Sequence, residues 1–203
     1  MSITFTVGHS TTSYDMFLSK LNSFAVNVIA DVRSTPFSKF TPQFNQDVLQ
    51  KQLKRDGISY VFLGNELGGR PRRLECYTDG VANYELMASS VEFQAGLERV
   101  KDGISKGYTI ALMCAEHNPL DCHRCLLVGR SLADQGIRLS HILGNGSVSS
   151  HDDIERQLLE LSGLNHEDLF TPLDERISRA YRERGKKVAY VEQEQEVSAR
   201  EVG

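Results

Sequence analysis

The sequence predicts an α/β fold: a mostly parallel five-stranded sheet with helices on both faces, Rossmann-like, and a helical C-terminal extension. Short apolar runs alternate with segments of helical periodicity, and such alternation is typical of parallel strands joined by right-handed crossovers. Most of these runs end in a cluster of polar side chains, which is where parallel sheets bind ligands. We expect an α/β core over residues 1–150, with an extension and tail over 151–203 packed on the same domain.

The first part of the chain predicts three strands and two helices. Residues 3–7 alternate apolar and polar side chains, and residues 26–32 form an apolar run that cannot continue past Pro36. Thr12 or Ser13 is suited to cap the first helix. The predicted elements of this part are strands 3–7, 26–32 and 58–63 and helices 12–24 and 45–55.

The second part predicts two further strands between helices. A glycine-rich and arginine-rich segment over residues 64–73 fits neither periodicity and is expected to be a loop. Residues 84–101 predict one or two helices. The Glu-rich residues 193–203 predict a frayed tail, and Leu169 with Phe170 is expected to anchor the extension. The remaining predicted elements are strands 108–113 and 138–143 and helices 122–135, 152–161 and 173–184.

Charge and cysteine content restrict the class of protein. The 203 residues carry a net charge of −4 at pH 7, which argues against a protein that coats DNA or anionic membrane by bulk attraction. Cys114, Cys122 and Cys125 lie close together, which indicates a site in a reducing compartment rather than a disulfide scaffold. The sequence shows no basic N-terminal segment and no apolar run of about 18 residues. We therefore expect a soluble, cytoplasmic protein.

Polar side chains follow four of the predicted strands. Because the carboxyl ends of parallel strands share one edge of a sheet, we expect these residues to meet there. Sheet packing alone would not place reactive side chains at four separate strand ends. The clusters are Gly8-His9-Ser10, Asp31 with Arg33, residues 66–73 and residues 114–124.

The arginines of this edge predict an anion site. Five arginines are expected to converge here: Arg33, Arg70, Arg72, Arg73 and Arg124. A helix that begins near Cys122 would direct its N–H groups at the same place. Guanidinium groups and helix N-termini are suited to phosphate and carboxylate. Alternatively, Arg33 pairs with Glu66 or Glu116 and the arginine-rich loop is a solvated surface. The other residues expected to contact the ligand are Ser10, Asp31, Glu66, Gly68 and Gly69.

Several residues of this edge are candidates for the chemistry. Cys122 precedes His123 and Arg124 at a predicted helix N-terminus, surroundings that lower the pKa of a thiol. The loop of cysteine phosphatases is excluded because Leu120 occupies the position of its arginine. Hydrogen bonds to loop backbone would account for the histidines and for Glu116 equally well. Burial as small apolar residues would account for Cys114 and Cys125. The remaining candidates for acid, base or nucleophile are Glu116, His123, His9 and Cys114.

The same stretch contains possible metal ligands. Cys114, His117, Cys122 and Cys125 suffice in composition for tetrahedral zinc. The spacing lacks the second ligand pair of a zinc knuckle, so a zinc site is the lesser alternative. Cys122 and Cys125 also form a Cys-x-x-Cys pair typical of redox proteins, without a recognisable cis-proline signal. No cofactor is required by the sequence.

Taken in order, these motifs resemble a bacterial family, the domain of unknown function family 488. The C-terminal Leu-Phe at 169–170 and the helix that carries Ala180 and Tyr181 are similar to that family too. The resemblance covers most of the chain and supports the location of the site, but the family name implies no reaction. The matching motifs are Val-Gly-His-Ser at 7–10, Asp-Val-Arg-Ser-Thr-Pro-Phe-Ser at 31–38, Glu-Leu-Gly-Gly-Arg-Pro at 66–71, Cys-Ala-Glu at 114–116, Cys-His-Arg at 122–124 and His-Ile at 141–142.

The sequence thus favours an enzyme, a hydrolase or a transferase, that acts on a phosphate-bearing small molecule or nucleotide at the carboxyl ends of the strands. The alternative is a non-catalytic module that binds an anion, a nucleotide or nucleic acid, the last through residues 70–73. Nucleic acid is the less favoured partner, and no membrane partner is expected. The oligomeric state stays open.

Overall fold

A computed structural model describes residues 4–166 and 170–192, and its centre is a six-stranded sheet in the order β3-β2-β6-β1-β7-β8. The first five of these strands run parallel, and β8 is antiparallel to β7. The predicted α/β class is confirmed, and a short edge strand, β8, adds a sixth strand to the five expected. The strands are β1 Thr4–Gly8, β2 Val28–Asp31, β3 Ser59–Phe62, β4 Tyr77–Thr78, β5 Val81–Ala82, β6 Ile110–Cys114, β7 Leu139–Ile142 and β8 Val148–Ser150, of which β4 and β5 form a separate hairpin.

The position of β6 brings the strand-end loops together. Gly8 of β1 is in register with Cys114 of β6, and Asp31 of β2 is in register with Met113. In the Rossmann strand order the first two strands are neighbours, whereas β6 separates β1 from β2 here. The loop after β6 therefore lies between the loops after β1 and β2.

Both faces of the sheet carry helices because the strands are apolar on both sides. On one face, Ala30 and Leu112 pack with Leu97. On the other face, Ile29 and Met113 are part of a second buried cluster. The helices are α1 Tyr14–Ser23, α2 Gln46–Arg55, α3 Gly64–Leu67, α4 Tyr84–Ala88, α5 Val91–Ser105, α6 Arg130–Asp134, α7 His151–Leu161 and α8 Leu173–Val188.

Local signals explain where several helices begin. The Ser13 hydroxyl accepts a hydrogen bond from the Met16 amide at the start of α1. Ser90 caps α5 in the same way, which divides the predicted segment 84–101 into α4 and α5. The loop expected over residues 64–73 begins with the single turn α3.

The helix after β6 has an irregular first half. The chain is helical from His123 and forms a wide π-helical segment over Arg124–Gly129 before it continues as α6. Cys122 directly precedes the helix, and its carbonyl accepts a hydrogen bond from the Leu126 amide at 3.0 Å. The prediction of a helix that starts near Cys122 therefore agrees with the structure, but the π turn was not expected.

The C-terminal extension packs on this helix. Ile154 and Leu158 of α7 and Tyr181 of α8 share a buried cluster with Leu126. Leu169 of the proposed anchor and the tail over 193–203 lie outside the described residues, and Phe170, the other anchor residue, is exposed rather than buried against the core. In the part of the chain that the structure describes, no helix has both the length and the apolar character needed to cross a membrane.

Candidate functional site

A cavity of about 330 Å³ lies at the carboxyl ends of β2 and β6. Its walls come from the loops after β2, α3 and β6 and from the chain just after α8. The predicted site residues in its lining are Arg33, Gly69, Arg70, Cys114, Glu116, Cys122 and His123. The other residues in its lining include Ser34, Thr35, Tyr84, Asp121, Val188 and Tyr190.

Two thiols, a carboxylate and an imidazole meet on the floor of this cavity. The Cys122 sulfur lies 3.0 Å from Oε2 of Glu116. Nδ1 of His123 lies 3.8 Å from the Cys114 sulfur and 3.9 Å from the Cys122 sulfur. Both cysteines are buried; Glu116 is exposed as a whole residue, although its carboxylate lies against Cys122. Four reactive groups from one short stretch thus face one another.

These contacts shift the pKa values of the four groups in different directions. Burial raises the pKa of Cys114 and opposes ionisation of Cys122, but a hydrogen bond from Cys114 and the charge of Arg124 together bring the pKa of Cys122 below its ordinary value. Burial of its carboxyl group, followed by the charge of Cys122, raises the pKa of Glu116. The Cys122 sulfur is therefore the more readily ionised of the two thiols, and Glu116 retains its proton to a higher pH than a free glutamate.

The orientation of His123 is fixed by its backbone contact. Nε2 lies 2.8 Å from the Val32 carbonyl oxygen, and since a carbonyl only accepts, Nε2 carries the hydrogen. Nδ1 therefore faces the two sulfurs, and although burial opposes it, the hydrogen bond and the charge of Cys122 raise the pKa of His123. Gly69 packs against the ring so closely that a Cβ at its position would lie 2.9 Å from Cγ of His123.

Arg124 is fully buried and supports the loop that carries Glu116. Its Nη1 donates to the Glu116 carbonyl at 2.7 Å and its Nη2 to the His117 carbonyl at 3.1 Å. Its Nε is buried without a hydrogen-bond partner, and no carboxylate among the described residues pairs with it. Gly8 permits this arrangement, since a Cβ there would lie 1.9 Å from the Glu116 carbonyl oxygen.

Arg33 is a buried ion-pair partner of Asp31. Its Nη2 lies 2.6 Å from Oδ2 of Asp31 and also donates to the Phe44 carbonyl at 2.9 Å. Its Nη1 lies 3.1 Å from Nε2 of His9. Burial, followed by the charge of Arg33, lowers the pKa of His9 to about 4, so this ring is neutral near pH 7. Asp31 and His9 therefore orient Arg33 from behind the cavity wall.

Arg70 has a different environment at the mouth of the cavity. It is exposed, its guanidinium lies 4.8 Å from the centre of the Tyr190 ring, and no described acidic residue forms an ion pair with it. The Ser34 hydroxyl oxygen accepts the Arg70 amide hydrogen at 2.9 Å and thereby ties the two loops together. Arg70 thus presents an available positive charge beside the hydroxyl group of Ser34.

Other predicted site residues lie apart from the reactive groups. The Glu66 carboxylate forms an ion pair with Arg99 of α5. The His117 ring packs against Gly144, and the Cys125 sulfur is grouped with two buried histidines on the opposite side of the helix. The proposed metal ligands are thus divided. Cys114 and Cys122 are grouped with Glu116 and His123, whereas His117 and Cys125 lie elsewhere. Gly68 packs against Ser34, and Ser10 is half-buried with its amide bonded to the Ala115 carbonyl.

Sequence reasoning did not identify the aromatic part of the wall. Tyr84 begins α4 and Tyr190 follows α8, both far along the chain from the strand-end motifs. No periodicity or motif indicates that they reach the cavity. Ser34 and Thr35 did have a signal, because they directly follow Arg33 in a strand-end loop.

Comparison with protein-family models gives a match over more than half of the chain. Residues 13–130 match the family model described as "Domain of unknown function DUF488". No curated protein and no solved structure matches the chain. The matched range contains β6, the loop after it and the start of the helix that carries Cys122 and His123.

Proposed function

Since the chain belongs to the family described as domain of unknown function DUF488, we propose its function from the cavity: an enzyme that acts on a phosphate-bearing small molecule or nucleotide. One observation supports this proposal above the others. The cavity has reactive groups on its floor and, at its mouth, Arg70, an arginine that pairs with none of the described acidic residues. Its volume of about 330 Å³ suits a small ligand.

The contacts suggest how such a substrate would be held. An anionic group would bind Arg70 and the Ser34 hydroxyl, because the guanidinium has no acidic partner among the described residues and the hydroxyl, which accepts from the Arg70 amide, keeps its own hydrogen to donate. The positive charge of Arg33 is offset by Asp31, so Arg33 would contribute mainly through its position. The reacting end of the substrate would then lie against Glu116 and the groups around it.

A non-catalytic binding module would use the same cavity. The nucleic-acid version of this alternative is less favoured, because Arg73 pairs with Glu75 and Glu92 and Arg72 is bonded to Asn65. Those contacts satisfy much of the basic loop within the protein. We also propose a cytoplasmic location, since all four cysteines are free.

Ligand binding is tested by thermal unfolding against a panel of nucleotides, sugar phosphates and inorganic phosphate. A ligand present at a hundred times its Kd stabilises by about 2.7 kcal/mol, which raises the unfolding midpoint of a chain of this size by roughly 5–10 °C. Arg70→Ala should remove most of that shift. Arg72→Ala, in the same loop, is the matched control and should retain it. An unshifted native midpoint across the panel would exclude an anion pocket.

Turnover of the stabilising ligand then separates the enzyme from the binding module. We expect the native protein to convert that ligand and Glu116→Gln to retain the thermal shift while turnover falls by about 10²–10⁴-fold. Products are followed by mass spectrometry and phosphorus NMR. If the native protein leaves every stabilising ligand unchanged, the cavity is a binding site only.

A further inference from the structure

The four reactive groups on the cavity floor have the arrangement of a metal site. Their ligand atoms, two sulfurs, one carboxylate oxygen and one imidazole nitrogen, all lie within 4.8 Å of one another. Ligands of tetrahedral zinc, with bonds of about 2.0–2.3 Å, are roughly 3.3–3.8 Å apart. The distances of 3.8 Å and 3.9 Å from His123 to the two sulfurs are close to this value. Side-chain adjustments alone would therefore place one ion among these atoms.

The surroundings of His123 are those of a metal-binding histidine. Metal-ligating histidines usually donate the second ring N–H to a carbonyl or carboxylate, which fixes the tautomer. Nε2 of His123 makes this contact with Val32, and Nδ1 is left to face Cys114 and Cys122. The Gly69 backbone packs on the ring and limits its rotation. The imidazole ring is thus held in this orientation before any ion arrives.

Charge balance and ligand chemistry both favour zinc. Two thiolates with an imidazole select zinc over magnesium or calcium, which prefer oxygen ligands. Two thiolates and the Glu116 carboxylate would carry three negative charges, and a divalent ion together with Arg124 would balance them. Arg124 is fully buried without a carboxylate partner among the described residues, and the charge of an ionised Cys122 offsets its own. A divalent ion would allow Cys114 to ionise as well.

We propose that Cys114, Cys122 and His123 bind a zinc ion, and that Glu116 lies beside the fourth coordination position. Among the four groups only Glu116 is exposed, so this position faces the cavity. Three protein ligands with one open position are typical of catalytic zinc. The binding of zinc stands by itself, whereas its use in catalysis rests on the proposed function.

The chemistry that follows is hydrolysis of the bound substrate. A water molecule on the zinc ion transfers a proton to Glu116, and its oxygen forms a bond to the electrophilic phosphorus or carbon atom. The bond to the leaving group breaks, the leaving group keeps the electron pair, and Glu116 returns the proton to it. One water molecule is consumed, and Glu116 ends in its starting state. Zinc held by cysteine and histidine with a glutamate as acid and base is an established combination.

Metal content tests the site without any substrate. After chelation and reconstitution with zinc, we expect about one zinc ion per chain by elemental analysis. Cys114→Ser and His123→Ala should lower this value at least tenfold. Cys76→Ala, which removes a buried cysteine that is not among the four grouped ligands, should keep it. A native protein that retains no zinc, or a Cys114→Ser variant that retains as much as the native protein, would overturn the proposal.

A second measurement uses only the native chain, in case a variant fails to fold. Cobalt should give a thiolate-to-metal charge-transfer band, and zinc should protect Cys114 and Cys122 from iodoacetamide, as mapped by mass spectrometry. Equal labelling with and without zinc would contradict the assignment. If zinc binds but no anion shifts the unfolding midpoint, the phosphate-bearing substrate is wrong and the metal site stands. If anions bind Arg70 but no zinc is retained, the metal site is wrong and the pocket stands.

Discussion

At the residue scale, the arginines of the cavity differ in what they contact. Arg33 is paired with Asp31, and Arg124 holds backbone carbonyls of the loop after β6. Arg70 is exposed above the Tyr190 ring without a described acidic partner. The same residue type thus supports the site in two places and remains available to a ligand in one.

The Asp31–Arg33 pair gives the first stability prediction. Asp31 is fully buried and also accepts a hydrogen bond from the Tyr60 hydroxyl at 2.7 Å, so Asp31→Ala leaves the Arg33 charge buried and unpaired. Removing one partner of a buried ion pair lowers the free energy of unfolding by about 3–5 kcal/mol. Urea denaturation measures the change. The control is Glu183→Ala in the exposed pair with Arg179, for which less than about 1 kcal/mol is expected.

If Asp31→Ala lowered the free energy of unfolding no more than Glu183→Ala did, the Arg33 charge would be balanced by another group. The sequence placed Asp31 and Arg33 together but offered two partners for Arg33. Asp31 and Arg33 are two residues apart at the end of β2, so both side chains can turn to the same side. Whether they do so depends on the backbone geometry, which the sequence pattern does not determine.

At the element scale, a chain of hydrogen bonds connects the sheet to α7 and α8. Thr6 lies 2.8 Å from Nδ1 of His141, Nε2 of His141 lies 2.9 Å from Nδ1 of His151, and Nε2 of His151 lies 3.1 Å from the Tyr181 hydroxyl. That hydroxyl donates to Glu155 at 3.0 Å. Because a hydroxyl has a single hydrogen, each earlier group must donate toward Tyr181, so both imidazoles are neutral with hydrogen on Nε2.

The second stability prediction concerns the end of this chain. Tyr181→Phe removes the acceptor for His151 and the donor for Glu155 while it keeps the aromatic ring beneath Arg130. A buried N–H left without a partner lowers the free energy of unfolding by about 1–3 kcal/mol. Tyr108→Phe, at a half-exposed tyrosine, is the control for which little change is expected. Equal urea midpoints for the two variants would contradict the hydrogen-bond chain.

The elements that the sequence predicted well are those with a strong apolar run. β2 and β6 are entirely buried, and their mostly apolar sequences distinguish them from a loop. β8 was missed because the strand is short and its sequence, Val-Ser-Ser, is largely polar. The π turn was missed because the apolar spacing of residues 124–129 also fits an α-helix.

At the scale of the whole molecule, the cavity depends on segments far apart in the chain. Val188 and Tyr190 line the cavity although they lie beyond the matched range 13–130. α8 places them there because Tyr181 and Ala180 pack on α7 and on the helix after β6. The sequence indicated the extension and its packing on the core, but side chains after a predicted helix carry no signal of the cavity that they reach.

Buried neutral histidines predict how the stability of the whole molecule depends on pH. Burial lowers the pKa of His141 to about 3, with a further contribution from the neighbouring His151, and His9 has a pKa of about 4. In the unfolded chain both histidines return to about 6.5. Between these values the unfolded chain binds protons that the folded chain does not, so the free energy of unfolding must fall as the pH falls. Glu155, whose pKa burial raises, acts in the opposite direction.

Urea denaturation at a series of pH values tests this dependence. The contribution of the histidines should be constant above about pH 7 and should be lost progressively from about pH 6.5 to pH 4, at about 1.4 kcal/mol for each unit of pKa difference. His141→Asn should have a shallower slope over this range, because the asparagine has no proton to bind. His166→Asn, at an exposed histidine, is the matched control and should keep the native slope. If His141→Asn and His166→Asn gave the same slope, proton uptake by the unfolded chain at His141 could not be the cause of the acid sensitivity.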